Sequence, residues 1–457
     1  MKKIWARQAL TEDGWQDSVL LTIDKSGTIA TVEANAAADG EIRSILLPAP
    51  ANLHSHAFQR VMAGLTETRS LEKGDNFWTW RKTMYALLEH LSPDDVQAVA
   101  AFAQMEMLEA GFAGVAEFHY LHHEVGGQAY ANPGEMSVRV AAAAKETGIG
   151  LMLLPALYER GGIDGSPLEG VQQRFGCNLD RFAKILDAAR LAVAELPPDS
   201  RVGIALHSMR SVSLETITQA QTLFSNSVLH IHAAEQTAEV ESVTAATSLR
   251  PVEWLLENCQ INDGWCLVHC THLTPVETRR LAESGAVAGL CPITESNLGD
   301  GIFNGRDFIR NGGTFGIGTD SNVRISLTEE LRTLEYSQRL RHRIRAALAS
   351  NHDSPGRELF ETACRGGALA CRRNGGRIGP GALADLIELD GDGIDLAGLE
   401  ADRILDAWIF SANRNLVRNV WSAGRHAVRD GLHCRREAIT RKYLPVQNRL
   451  RNLAQGA

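Results

Sequence analysis

From residue 45 onward, short apolar runs alternate with longer stretches whose apolar positions recur at helical spacing, which predicts repeated strand–helix units around a parallel sheet. Eight such runs are present, at residues 44–52, 114–120, 150–158, 201–207, 228–232, 265–269, 286–291 and 314–320. Between them the pattern predicts helices over 93–110, 180–195, 214–222, 251–258 and 275–284, each opened by a capping residue or by proline. Eight strand–helix units close a (β/α)8 barrel, here over residues 49–380. The flanks read differently, with strand-type alternation at 3–32, 385–390, 407–409 and 417–428. Neither flank makes a core alone, so 1–48 and 381–457 are expected to pair as one small β-sandwich beside the barrel. Loops 58–80 and 159–179 exceed ordinary connections and are expected to cover the barrel mouth.

The polar residues fall where this arrangement makes them useful. The runs end at His54 and His56, Glu117 and His119, Tyr158 and Glu159, His207 and Arg210, His232 and Glu235, His269, Thr294 and Glu295, and Asp320. Six of the fifteen histidines therefore sit at strand ends, the face on which barrel enzymes build their sites. Residues i and i+2 of a strand share a side, so His54 and His56 can offer two imidazoles to one cation. An early His-x-His and a late Asp320 are the outline of a metal-dependent hydrolase.

Composition narrows the partners. A formal charge of −9 leaves no basic field for nucleic acid or an anionic membrane, so a small diffusible substrate is expected. No run of eighteen apolar residues is present and the opening residues hold no apolar signal core, so a cytoplasmic protein is expected. Eight cysteines lie scattered without a paired framework and read as reduced thiols.

Taken together, His54-x-His56, His232-Ala-Ala-Glu235, His269 and Gly318-Thr319-Asp320-Ser321 resemble the amidohydrolase superfamily, as does the tail Gly366-Gly367-Ala368 with 381–387. The residues before His54, Ala49-Pro50-Ala51-Asn52, depart from the Pro-Gly-Phe of many relatives. The branch with two metals carries a lysine at the end of the fourth strand. Residues 201–210 contain none, so the resemblance implies a single divalent metal, zinc, on His54, His56, His232 and Asp320. His230 has the same facing as His232 and is assigned to packing. Within the branch that deaminates amidines and ring bases, the chain is similar to the formimidoylglutamate deiminase family of histidine degradation. That likeness rests on residues 54–60, 77–81, 117–120 and 207–212.

The resemblance implies hydrolysis of N-formimidoyl-L-glutamate to N-formyl-L-glutamate and ammonia. Asp320 accepts a proton from water, Glu235 protonates the departing nitrogen, and His269 stabilises charge in the adduct. Arg81 and Arg210 suit the carboxylates of a dicarboxylate substrate, since guanidinium binds carboxylate through paired hydrogen bonds. Gln59, Tyr120 and His207 complete the polar rim. Two alternatives stand beside this reading: an aromatic-base deaminase of the guanine or adenosine-derivative type, and a catalytically silent metal-binding scaffold. A homodimer through the outer helices is expected.

Overall fold

The computed structural model describes residues 1–67, 77–349 and 353–456. Eight parallel strands follow one another around the barrel: Ala51–Ser55, Gly114–His119, Gly150–Leu157, Ile204–Ser208, Leu229–Ala233, Trp265–His269, Val287–Leu290 and Thr314–Ile317. A two-residue strand, Arg201–Val202, pairs beside the third. Most of their residues are buried, which is why they read as near-continuous apolar runs rather than alternating ones. The helices between them start on local signals. Ser92 caps Pro93–Glu109 in a reciprocal box with Asp95, and Thr274 caps Pro275–Glu283 with Glu277.

The barrel closes where the chemistry lies. Its first and last strands meet through a parallel bridge between Ser55 and Asp320. The His54 carbonyl accepts from the backbone N–H groups of Thr319 and Asp320 at 3.0 Å each, and the His56 N–H donates to the Asp320 carbonyl at 2.9 Å. The same hydrogen bonds that seal the barrel thus bring 54–56 and 320 together.

The two termini form one hydrogen-bonded mixed sheet of eight strands. Glu41–Pro48 pairs antiparallel with Leu386–Leu389 on one side and parallel with Lys2–Thr11 on the other, joining the N-terminal strands to the C-terminal ones. Ile4, Val19, Ile29, Leu46, Leu386 and Trp421 are buried in the small core of this domain.

Two local expectations are corrected. The apolar run 44–52 is not one strand: residues through Pro48 belong to the small sheet, and the barrel strand starts at Ala51. Pro48 and Pro50 lack the N–H that a continuous ladder needs. Residues 407–409 are helical, inside Asp402–Phe410. Ile404, Leu405, Trp408 and Ile409 are buried together, a spacing that fits a helix face better than a strand.

Beyond the last strand a helix, Arg436–Gly456, returns to the barrel, where Tyr443 stacks on Phe102 at 3.9 Å between ring centroids. The two long loops are partly structured. Residues 68–76 lie outside the described residues; around them stand a 3-10 turn, Ala57–Met62, and a helix, Phe77–Leu88. The second loop holds a 3-10 turn, Gly170–Arg174, whose buried Arg174 donates to the carbonyls of His123, Leu88 and Leu91. That guanidinium ties the second loop to the C-terminal end of the helix Phe77–Leu88, which roofs the barrel mouth.

Candidate active site

Beneath this roof, four donor groups converge. His232 Nε2 lies 3.1 Å from His54 Nε2 and 3.3 Å from His56 Nε2, and Asp320 Oδ1 lies 3.4 Å from both His54 and His56. His56 Nδ1 donates to the Phe118 carbonyl at 2.6 Å and His232 Nδ1 to the His207 carbonyl at 2.7 Å. With the proton on Nδ1, each Nε2 presents a lone pair toward its neighbours, which is repulsive unless a cation lies between them. Burial lowers all three imidazoles, His54 to about 3, so they are neutral at pH 7 as ligation requires. Burial works against the Asp320 carboxylate, but the hydrogen bond with His54 and the charge of His269 outweigh it and hold the group ionised. Ligands of a tetrahedral shell with bonds of about 2.05 Å lie about 3.3 Å apart, and the His54–His232, His56–His232, His54–Asp320 and His56–Asp320 separations of 3.1, 3.3, 3.4 and 3.4 Å are of that size.

His269 stands beside this cluster, with Nε2 3.9 Å from both Asp320 Oδ2 and Glu235 Oε1. Its other nitrogen reaches Glu295 Oε1 at 3.3 Å. Burial alone would lower the imidazole, yet Glu235, Glu295 and Asp320 together push it up to about 10. A bound dication would oppose that charge. Burial raises the Glu235 carboxyl, so a proton is more readily kept there than on an exposed glutamate. The backbone is strained at the same places: Ala234, His269 and Asp320 have φ of 53°, 70° and 45°, in the left-handed region that non-glycine residues avoid.

The expected substrate residues surround the space above the donors. Gln59, Arg81, Tyr120, His207 and Arg210 line one pocket together with His56, His232, Glu235, His269 and Asp320. Gln59 Nε2 donates to the Tyr120 hydroxyl at 3.1 Å, leaving its own carbonyl oxygen buried and unpartnered. His207 lies against Tyr120 and Tyr158, at 5.2 and 4.6 Å between ring centroids. Arg81 Nε donates to the Tyr85 hydroxyl at 2.7 Å. Arg210 Nε is buried without a partner. Among the described residues, neither arginine forms an ion pair with a carboxylate.

Other strand-end residues turn away. His119 pairs with the Ser137 hydroxyl at 2.9 Å, and His230 Nε2 donates to the Ala370 carbonyl at 3.0 Å. His230 and His232 share a face, His230 two residues nearer the start of the strand; the register shift falls on the neighbouring strand, where His207 is the extra residue between Leu206 and Ser208.

Four acids and phenols around the site were not assigned roles from sequence. Tyr85 holds Arg81 and was legible as its i+4 neighbour on a helix. Glu295 supports His269 while accepting from the Cys291 N–H at 2.9 Å. Glu117, pushed up to about 8 by burial, accepts from the Ala57 N–H at 2.7 Å and braces the turn after His56. Asp300, likewise raised to about 8 by burial and Glu235, accepts from Gln236 and had no local signal.

Residues 45–427 match the amidohydrolase family, and residues 1–43 match a domain described as "Formimidoylglutamate deiminase HutF, N-terminal domain". The chain is 44% identical to a formimidoylglutamate deiminase of Pseudomonas aeruginosa, over 98% of this chain and 100% of the relative. Among solved structures it is similar to an amidohydrolase from Brucella melitensis, with a TM-score of 0.94 and 43% identity over 98% of this chain and 100% of that one. It also shares its fold with an adenosine deaminase from Xanthomonas campestris with bound zinc, at a TM-score of 0.80 and 21% identity over 98% of both chains.

Proposed function

The chain belongs to the amidohydrolase family, and from that premise we propose that it hydrolyses N-formimidoyl-L-glutamate to N-formyl-L-glutamate and ammonia, using one zinc ion held by His54, His56, His232 and Asp320. The observation that carries the substrate is the pair of guanidiniums, Arg81 and Arg210, which line the pocket with the donor cluster and, among the described residues, form no ion pair with a carboxylate. A substrate with two carboxylates supplies both missing partners.

When bound, a divalent metal supplies Lewis acidity, enough to bring the pKa of a water from about 15.7 to about 7. Asp320 turns Oδ1 toward His54 and His56 and Oδ2 toward His269, where it can accept a proton from the attacking water. As the water oxygen bonds to the amidine carbon, the C=N π pair moves onto the terminal nitrogen, which takes a proton from Glu235. The carbon–nitrogen bond then breaks as the adduct's oxygen re-forms C=O, its hydroxyl proton returning to Glu235, and the nitrogen leaves as ammonia with the proton that Asp320 took from water. His269, charged and aimed between Glu235 and Asp320, offsets negative charge on the tetrahedral carbon's oxygen. Phe77, Trp80, Tyr85 and Phe175 line the pocket with apolar surface, and a less polar surrounding strengthens each of these interactions.

The aromatic lining favours a second reading, deamination of a ring base, since Tyr120, Tyr158 and Phe175 offer stacking surfaces. Ammonia release from N-formimidoyl-L-glutamate, a formimidoyl amine without carboxylates, guanine and 5'-methylthioadenosine separates the two. The proposal requires a strong preference for the diacid; faster turnover of a base overturns it. Elemental analysis is expected to give one zinc per active chain, and a content near two that tracks activity would remove the single-metal assignment. A homodimer acting in histidine degradation in the cytoplasm completes the proposal. The eight free cysteines suit a reducing compartment, and light scattering after gel filtration tests the dimer.

A further inference from the structure

We propose that Trp78 is a specificity-determining residue that holds the guanidiniums of Arg81 and Arg210 as a pair spaced for two carboxylates of one substrate, a role that rests on the dicarboxylate reading above. The Arg81 guanidinium carbon lies 5.4 Å from the centroid of the Trp78 ring, and that of Arg210 lies 5.9 Å from the same ring. Both fall within the reach over which a cation is drawn to an aromatic face, an attraction strongest for indole. The need for such a device is electrostatic. Two like charges in one pocket repel, and among the described residues neither forms an ion pair with a carboxylate, although Glu235 is near enough to act on Arg210.

The supports of the two arginines are unequal. Trp78, Arg81 and Tyr85 stand at i, i+3 and i+7 on one face of Phe77–Leu88. Arg81 is therefore held twice, by Trp78 and by Tyr85, whose ring centroid is 4.7 Å away and whose hydroxyl accepts from Nε. Arg210 follows the strand Ile204–Ser208, and among the described residues the Trp78 ring is the aromatic ring its guanidinium meets at this range. One indole on the roof helix thus links an arginine of the roof to an arginine of the barrel. Trp78 itself is 39% exposed, so it stands at the mouth, outside the packed core.

Trp78→Leu keeps apolar bulk and removes the ring; Trp78→Phe keeps a weaker ring. Steady-state rates on the holoenzyme are compared for N-formimidoyl-L-glutamate and for a formimidoyl amine lacking both carboxylates, with zinc content and melting temperature followed in parallel. In Trp78→Leu, KM for the diacid is expected to rise about 5- to 30-fold with kcat changed by less than about twofold, the sum of two weak cation–ring contacts. The amine is expected to show no change, and Trp78→Phe to fall between. An unchanged KM for the diacid in Trp78→Leu overturns the proposal. So does an equal loss on both substrates, the result for a lid that only excludes water. If the wild type does not turn over N-formimidoyl-L-glutamate, the functional reading fails by itself. Calorimetric titration of glutarate into the holoenzyme then still tests the indole, which requires weaker binding in Trp78→Leu than in wild type; equal binding rejects it.

Discussion

Glu235 and His269 face each other at 3.9 Å, and burial makes different demands on each. Burial raises the Glu235 carboxyl, the direction a general acid needs, while Glu235, Glu295 and Asp320 raise the His269 imidazole against the effect of its burial. Glu235→Gln preserves shape and polarity but has no acidic proton. It is expected to lower kcat by about 10²- to 10⁴-fold, the usual worth of a positioned general acid, with zinc retained and KM little changed. Ammonia release and elemental analysis on the same preparation check this, and near-normal turnover with zinc in place would move the acid elsewhere. Arg210→Ala addresses recognition. Stranding one carboxylate of the diacid costs about 2–5 kcal/mol, tens- to thousands-fold in kcat/KM. The variant should also lose the preference for the diacid over the uncharged amine; an intact preference would take Arg210 out of the pocket.

Secondary-structure elements reach the site through their packing distances. The helix Pro355–Ala370 runs against the first and last barrel strands, and two glycines permit the approach. A Cβ on Gly366 would strike the Phe315 carbonyl and come within 2.7 Å of the Gly316 nitrogen; one on Gly367 would meet the Ala51 carbonyl at 2.5 Å. These neighbours are backbone and cannot rotate away. Gly366→Ala is therefore expected to destabilise by about 3 kcal/mol or more, at the upper end of overpacking effects. The strain falls on Thr314–Ile317, three residues before Asp320, so zinc content should fall with the melting temperature. A variant that melts like wild type and keeps its metal would refute the packing argument.

For the molecule as a whole, a buried charge cluster fixes the small domain to the barrel. Arg373 donates to both oxygens of Asp385 at 2.6 and 2.7 Å and to Asp199 at 2.8 Å, while Arg425 donates to both oxygens of Asp199 at 2.8 and 2.7 Å. Asp199 follows the barrel helix Leu179–Ala194, and Arg425 opens the small-sheet strand Arg425–Arg429. Burial pushes the Asp199 carboxyl up, but Arg425 and Arg373 outweigh it and hold it below the ordinary range. A depressed pKa in the folded state gives stability fully present above the unfolded value of about 3.9 and lost as pH falls through the folded value. Asp199→Asn is expected to lower stability at pH 7 by about 3 kcal/mol, as removal of one partner from a buried pair does. The gap between wild type and variant should narrow below about pH 4. Melting curves at pH 7 and in acid test it, and a constant gap would exclude the carboxylate as the cause.

The alternation of apolar runs and the chemistry at their ends determined the barrel and the mouth on which His54, His56, His232, His269 and Asp320 gather, because both depend on local periods that any strand or helix must obey. The paired termini were legible for the same reason. Local pattern failed where two elements shared one apolar run, as at 44–52, and where three apolar residues were too few to separate strand from helix, as at 407–409. Only the tertiary structure decided which strand-end histidines meet. His230 is spent on the Ala370 carbonyl, His119 on Ser137, and the barrel seam brings residues 54–56 to 320. The raised Glu235 carboxyl, the raised His269 imidazole and the indole shared by Arg81 and Arg210 arise from burial and from neighbours far apart in the chain, contacts that no single window of the sequence contains.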